Sequence, residues 1–131
     1  MTAKKLILTS YQLALKTLEE ILERSNVDDV VRDATIQRFE YTYELAWKML
    51  QRHLTWMGVL DVAHLDKREL FREAARAGII ENPEAWFDYH RARNETSHTY
   101  NRATALEVYE TAKSFAPDAR RLLTALEAIH G

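Results

Sequence analysis

Eight consecutive residues, Arg93-Asn94-Glu95-Thr96-Ser97-His98-Thr99-Tyr100, bring an arginine, an amide, a histidine and a phenol into one short stretch. A permanently charged guanidinium and an imidazole that titrates near neutrality are the side chains best suited to a phosphodiester. Arg93 can grip phosphate oxygens with two parallel N–H groups and stabilise charge that develops as a bond breaks. His98, near the end of a helical pattern, meets the negative end of the helix dipole, which suits a general acid. RNA carries its own nucleophile in the 2′-hydroxyl, so a base, an acid and an arginine suffice for transesterification without a metal.

Helical geometry limits this chemistry. Each helical residue advances about 100°, so Arg93, Ser97 and Tyr100 fall within about 60° of one another, and Asn94 and His98 form a neighbouring stripe. Arg93 and His98 are about 140° apart. They share a phosphate only if the helix ends or bends between them, or if a second copy of the chain supplies one partner. On spacing alone, structural pairing outweighs catalysis. Arg91, Arg102 and His90 extend the local positive character, whereas Asp88 and Glu95 offset it. Glu95 repels phosphate unless it points away or pairs with Arg91.

The elements that position these residues read as helices. With 3 glycines and 2 prolines in 131 residues, the chain lacks the turn residues of a sheet-rich fold. An apolar fraction of 47% with 29% charged residues is the balance of a globular protein. At this length, residues 1–131 are expected to form a single domain. The net charge of −2 exerts no bulk pull on nucleic acid, so any RNA contact must be a local cluster. No cysteine is present, which removes disulfides and thiolate metal sites, and no apolar run approaches a membrane span. A cytoplasmic location without membrane contact is expected.

A first helix is expected from about Thr2 to Arg24, with Leu8, Tyr11, Leu15, Leu18 and Leu22 on one stripe. Asp28 or Asp29 caps a second, Asp29 to Trp56, whose stripe runs Ile36, Phe39, Tyr43, Trp47 with Ala46, Leu50, Leu54 and Met57, and Gly58 ends it. No turn motif marks Val59 to Leu65. Asp66, with Glu69 at the capping-box position, opens a short helix that ends at Gly78. Asn82-Pro83 opens a fourth, carrying Trp86, Phe87, Tyr89 and His90 into the Arg93–Tyr100 stretch. A fifth covers about Thr104 to Ile129, with Leu106, Tyr109, Ala112, Phe115, Ala119, Leu122 and Leu126 inward; Pro117 is expected to kink or divide it. The pattern predicts an all-α, antiparallel, up-and-down bundle of four or five helices.

On the second helix, Glu40 and Glu44 either line a cleft facing a substrate or partner, or pair on the surface with Arg38 and Lys48. The second reading is favoured. Phe39, Tyr43 and Trp47 read as core or interface. His53, His64 and His130 are scattered without the paired spacing of a metal site, so no metal is assigned and no cofactor is expected.

Two blocks give the chain a family likeness: Arg38-Phe39-Glu40-Tyr41-Thr42-Tyr43-Glu44-Leu45-Ala46-Trp47-Lys48, and Arg93 to Tyr100. Between them, Arg72-Glu73-Ala74-Ala75-Arg76-Ala77-Gly78-Ile79-Ile80 adds a third. In these the chain resembles the nucleotidyltransferase substrate-binding protein family of the HEPN superfamily, roughly from Leu8 to Phe115. The resemblance implies a helical homodimer paired with a separate minimal nucleotidyltransferase, encoded beside it, to which it serves as the substrate-binding or accessory subunit. Related HEPN proteins are toxins of toxin–antitoxin pairs, in which Arg-x4-His-x-Tyr is a ribonuclease centre silenced when the partner adds AMP to the tyrosine.

By this resemblance Arg93 and His98 are catalytic, Asn94 supports them, and Tyr100 is the modification target. Glu40, Glu44, Arg91 and Ser97 are assigned to the substrate or partner cleft. The spelling Thr96-Ser97-His98-Thr99-Tyr100 fits the substrate-binding branch better than the toxin branch. Three readings follow: an accessory module, an RNA-cleaving enzyme, and a scaffold that keeps the motif for structure alone. The chain lacks the Gly-Ser and Asp-x-Asp motifs of a nucleotidyltransferase and is not expected to transfer nucleotides itself.

Overall fold

A computed structural model describes residues 4–131. Its five helices are α1 (Thr9–Leu22), α2 (Asp29–Trp56), α3 (Lys67–Arg76), α4 (Pro83–Glu95) and α5 (Arg102–His130), with single 3₁₀ turns at Val62–His64 and Thr96–His98. No strand occurs among the described residues. The architecture is the all-α bundle that the glycine-poor sequence predicts.

Helix ends follow local chemistry. The Asp28 carboxylate accepts from the Val31 N–H at 2.8 Å and starts α2, as Asp66 does for Glu69 and α3 at 2.8 Å. Asn82 caps α4, with Pro83 in the first turn, and Asn101 caps α5 through the Thr104 N–H. Beyond α2 the chain turns through Gly58 at φ 93°, a left-handed conformation that a Cβ disfavours. α1 is shorter than expected. It begins at Thr9, after residues whose Leu6 N–H is bonded to a distant side chain, and ends at Leu22. Thr2, the expected start, lies outside the described residues. Between α2 and α3, where no turn motif is legible, Asp61 adopts φ 59° and leads into the first 3₁₀ turn.

α2 and α5 are the long central elements and run in the same direction. Asp29 meets Arg102 at their starts, Phe39 meets Phe115 at mid-length, and His53 meets His130 at their ends. α1 lies against both, fastened by the Tyr11 hydroxyl donating to the Ala119 carbonyl at 2.7 Å. α3 and α4 cover the remaining side. The core centres on Phe39, Tyr43, Phe71, Phe115 and Trp86, whose rings meet largely edge to face. α5 is not divided at Pro117. Pro117 and Lys113 are both exposed, so water can reach the carbonyl that loses its helical donor. Leu106 and Met57, assigned to inward stripes, are exposed, while Ala105, Val108 and Leu123 are buried in their stead. Among the described residues, no helix is long and apolar enough to cross a membrane.

Candidate functional site around Arg93

The helix ends between Arg93 and His98, one of the conditions that their spacing sets for a shared phosphate. α4 stops at Glu95 and continues as the 3₁₀ turn Thr96–His98. Threonines stabilise this ending: the Thr96 hydroxyl donates to the Arg93 carbonyl at 2.7 Å, and Thr99 to Thr96 at 3.2 Å. Carbonyls left without helical donors thus find partners close by. A further backbone bond, Asn101 N–H to the His98 carbonyl at 3.1 Å, leads directly into α5.

Arg93 points at α2. Its Nε–H donates to Glu44 Oε1 at 2.7 Å, and Nη2 lies 3.9 Å from Glu40 Oε1. Glu44 is fixed from its other oxygen by the Trp47 indole N–H at 3.1 Å. The expected surface pairs of Glu40 and Glu44 with Arg38 and Lys48 therefore do not form. Arg38 instead donates to the Thr17 carbonyl at 2.8 Å, and Lys48 lies near the Trp47 ring. The reason is tertiary: α4 brings a guanidinium, with its planar fork, against the face of α2 that carries both carboxylates. Only Nε is consumed. Nη1 and Nη2 make no hydrogen bond among the described residues, and the side chain is one-third exposed (34%).

His98 and Ser97 are exposed on the 3₁₀ turn. Tyr100 is 87% exposed, its ring edge-on to His98 at 6.2 Å between centroids. It borders a shallow cavity of about 260 Å³ shared with Asp29, Arg32 and Arg102. Arg93 faces residues 40–44 of α2 whereas Tyr100 stands near residues 29–33, so the motif is spread over roughly 10–22 Å of helix. The structure joins Arg93 with Glu40 and Glu44 and joins His98 with Tyr100. It does not bring all of them to one point.

The residues between them point elsewhere. Glu95 is exposed and lines an α4–α5 cavity with Asp88 and Arg91; Arg91 pairs with Asp88 at 3.2 Å and not with Glu95. Glu95 and Arg93 thus occupy different faces of α4. Asn94 lies 3.5 Å from His90 Nε2, and His90 Nδ1 is 2.9 Å from the buried Tyr43 hydroxyl. Burial, then the positive charges of Lys67 and Arg93, hold the His90 imidazole below its ordinary range, against the opposing pull of Glu44. His90 is accordingly neutral near pH 7 and does not add the positive charge that its sequence position suggested. Arg102 is engaged with Asp29 at 3.4 Å. His90 is visible in the sequence as a neighbour, but its bond to Tyr43, 47 positions away, carries no local signal.

No group of three or more His, Cys, Asp or Glu side chains is placed to hold a metal among the described residues. Two of the three scattered histidines do meet, however. His53 Nδ1 and His130 Nε2 are 2.9 Å apart, both rings buried, which sequence spacing could not reveal.

An all-helical bundle with an Arg-x4-His-x-Tyr segment at a helix ending defines a class of small helical subunits, and the chain's relatives specify it. The chain belongs to the family described as nucleotidyltransferase substrate binding protein like, matched over residues 6–128. It is 35% identical over 107 residues to a protein of Haemophilus influenzae named probable ribonuclease HepT, covering 80% of this chain and 73% of that one. Among solved structures it is similar to HI0074 of H. influenzae, described as having the fold of a substrate binding domain of a nucleotidyltransferase. The TM-score is 0.82 at 30% identity, covering 92% of this chain and 99% of that one. A protein of Thermus thermophilus superposes with a TM-score of 0.80 at 30% identity, over 88% and 98% of the two chains.

Proposed function

We propose that the chain is the helical accessory subunit of a separate minimal nucleotidyltransferase, that it works as a homodimer, and that Tyr100 is the group it presents to that partner. Family membership supports the partnership, and the exposure of Tyr100 at the mouth of the α4–α5 connection carries the assignment. A phenol 87% exposed can enter a second protein's active site without local unfolding. In the transfer, the Tyr100 oxygen attacks the α-phosphate of ATP, pyrophosphate leaves, and the phenolic proton passes to a base of the partner. Co-expression with the neighbouring nucleotidyltransferase and mass spectrometry test this: a 1:1 or dimer-based complex and an AMP adduct lost in Tyr100→Phe are expected. A chain that never co-purifies with that enzyme overturns it.

A second reading is supported by the relative named a ribonuclease and by Nη1 and Nη2 of Arg93, which make no hydrogen bond among the described residues although Nη2 lies 3.9 Å from Glu40. In it Arg93 and His98, supported by Asn94, cleave RNA. The 2′-hydroxyl gives up its proton to water as it attacks phosphorus, Arg93 steadies the charged oxygens, and His98 protonates the departing 5′-oxygen, leaving a 2′,3′-cyclic phosphate. Because Arg93 and His98 are held on differently directed segments, a cleft between two protomers would bring them together. Expression of the chain alone should then arrest growth, and His98→Ala should relieve the arrest. Absence of toxicity and of RNA cleavage by the purified protein removes this reading and leaves the accessory role standing.

A further inference from the structure

Between α3 and α4 lies a cavity of about 150 Å³, lined by Lys67, Arg68, His90, Arg91 and Asn94 over the ring of Phe87. We propose that this cavity is a phosphate-binding subsite, taking one phosphate group of an RNA strand or of a nucleotide beside the Arg93–His98 segment.

Charge and fixation support it. Three cationic side chains converge there, and among the described residues no carboxylate lies within ion-pair distance of Lys67 or Arg68. Only Arg91 has an acidic partner, Asp88. Their heads are also held in place: Lys67 Nζ sits 3.7 Å from the centre of the Trp47 ring, and the Arg68 guanidinium 4.7 Å from that of Phe87. Cations stacked on rings have already given up much of their rotamer freedom, so an incoming anion costs less to bind. Arg72, 5.5 Å from the centre of the Phe87 ring, adds to the field.

Donor chemistry points to phosphate. The Asn94 amide and the guanidinium N–H groups supply hydrogen bonds from several directions, which a tetrahedral anion uses better than a planar one. The volume is below that of pockets for whole small molecules, so a single phosphate fits and a nucleoside does not. Asn94 follows Arg93 directly, so a strand crossing the end of α4 can reach Arg93 on the α2 side and this cavity on the α3 side. The charged and titratable groups around His90 are Lys67 from α3, Glu44 and the Tyr43 hydroxyl from α2, and Arg93 from α4. An anion bound beside this imidazole offsets the two cations that, after burial, oppose its protonation, so binding favours the protonated form.

The full chain is titrated with inorganic phosphate, with ATP, and with a short single-stranded RNA made uncleavable by 2′-fluoro sugars, following the side-chain NMR signals of His90 and Asn94. Both signals should move, the His90 titration should shift upward on saturation, and Lys67→Gln and Arg68→Gln should each weaken binding roughly tenfold. Arg76→Gln, on the same helix but paired with Glu73, should leave it unchanged. Tighter binding of the RNA assigns the site to a backbone phosphodiester, and tighter binding of ATP to a nucleotide; either supports it. Unchanged affinity in folded Lys67→Gln and Arg68→Gln, or signals that move only elsewhere, overturns it. RNA binding lost in Arg93→Ala but intact in both α3 variants overturns this subsite and leaves the ribonuclease reading untouched.

Discussion

Histidine occupies two opposite settings at the two ends of this bundle. At one end, His98 stands exposed on a 3₁₀ turn beside an exposed tyrosine. At the other, His53 and His130 are buried (2% and 7% exposed) and satisfy each other. There the Leu6 N–H donates to His130 Nδ1 at 3.1 Å, which leaves the proton of His130 on Nε2, from where it is donated to His53 Nδ1. The chain of bonds ties the N-terminal segment, α2 and α5 together. Trp56 packs its ring against both imidazoles. A group that serves stability spends its hydrogen bonds internally and sheds its charge. A group available for chemistry keeps both within reach of solvent.

Substitution at the two ends should separate these roles. If the ribonuclease reading holds, His98→Ala should lower RNA cleavage by roughly 10²–10⁴-fold, the usual loss when a general acid is removed. The same change should move the unfolding free energy by less than about 0.5 kcal/mol, because the side chain is exposed. His53→Ala should do the reverse. It leaves a cavity and an unsatisfied His130 N–H, costing about 2–4 kcal/mol in denaturant unfolding. Equal destabilisation by the two substitutions would erase the contrast.

Acid sharpens the comparison further. His53 and His130 are both held below the ordinary histidine value of 6.5, in each case chiefly by burial, and His90 is displaced the same way. The unfolded chain therefore binds more protons than the folded one as pH falls. The stability these neutral imidazoles contribute is complete above pH 6.5 and is lost as pH drops through the folded-state values. Urea unfolding across the weakly acidic range should show the midpoint falling. A flat profile would mean that the buried pair accepts a proton without penalty.

The smallest expected effect concerns Arg93. Glu44→Gln removes the charge that faces Nε, and because both side chains are about one-third exposed the stability loss should stay under about 1 kcal/mol. Anion affinity should instead rise, since Arg93 loses its compensating carboxylate; salt-dependent RNA binding measures this. A large loss of stability would make Arg93–Glu44 a structural pair and favour the scaffold reading.

Much of the architecture is legible along the chain. The limits of α2 follow from Asp28 and Gly58, the start of α3 from Asp66, and that of α4 from Asn82-Pro83. The need for a helix ending between Arg93 and His98 follows from 100° per residue. The ends of α1 are less legible, because neither Leu8 nor Glu23 makes a side-chain cap, and a frayed end leaves no composition signal. Leu106 shows the limit of stripe reading: at the start of α5, apolar neighbours on both flanks permit two rotations, and the packed one buries Ala105 and Val108.

Residue order thus settles where helices begin and end, which side of each is apolar, and that one short segment carries chemically useful groups. Those properties depend on neighbours within one or two turns. Which helix faces meet is another matter. Arg93 with Glu44, His90 with Tyr43, Lys67 with Trp47 and His53 with His130 join residues 20 to 77 positions apart. Such pairs arise only when all five helices settle their mutual rotation around one shared core. That rotation is a property of collective packing, written in no single stretch of the chain.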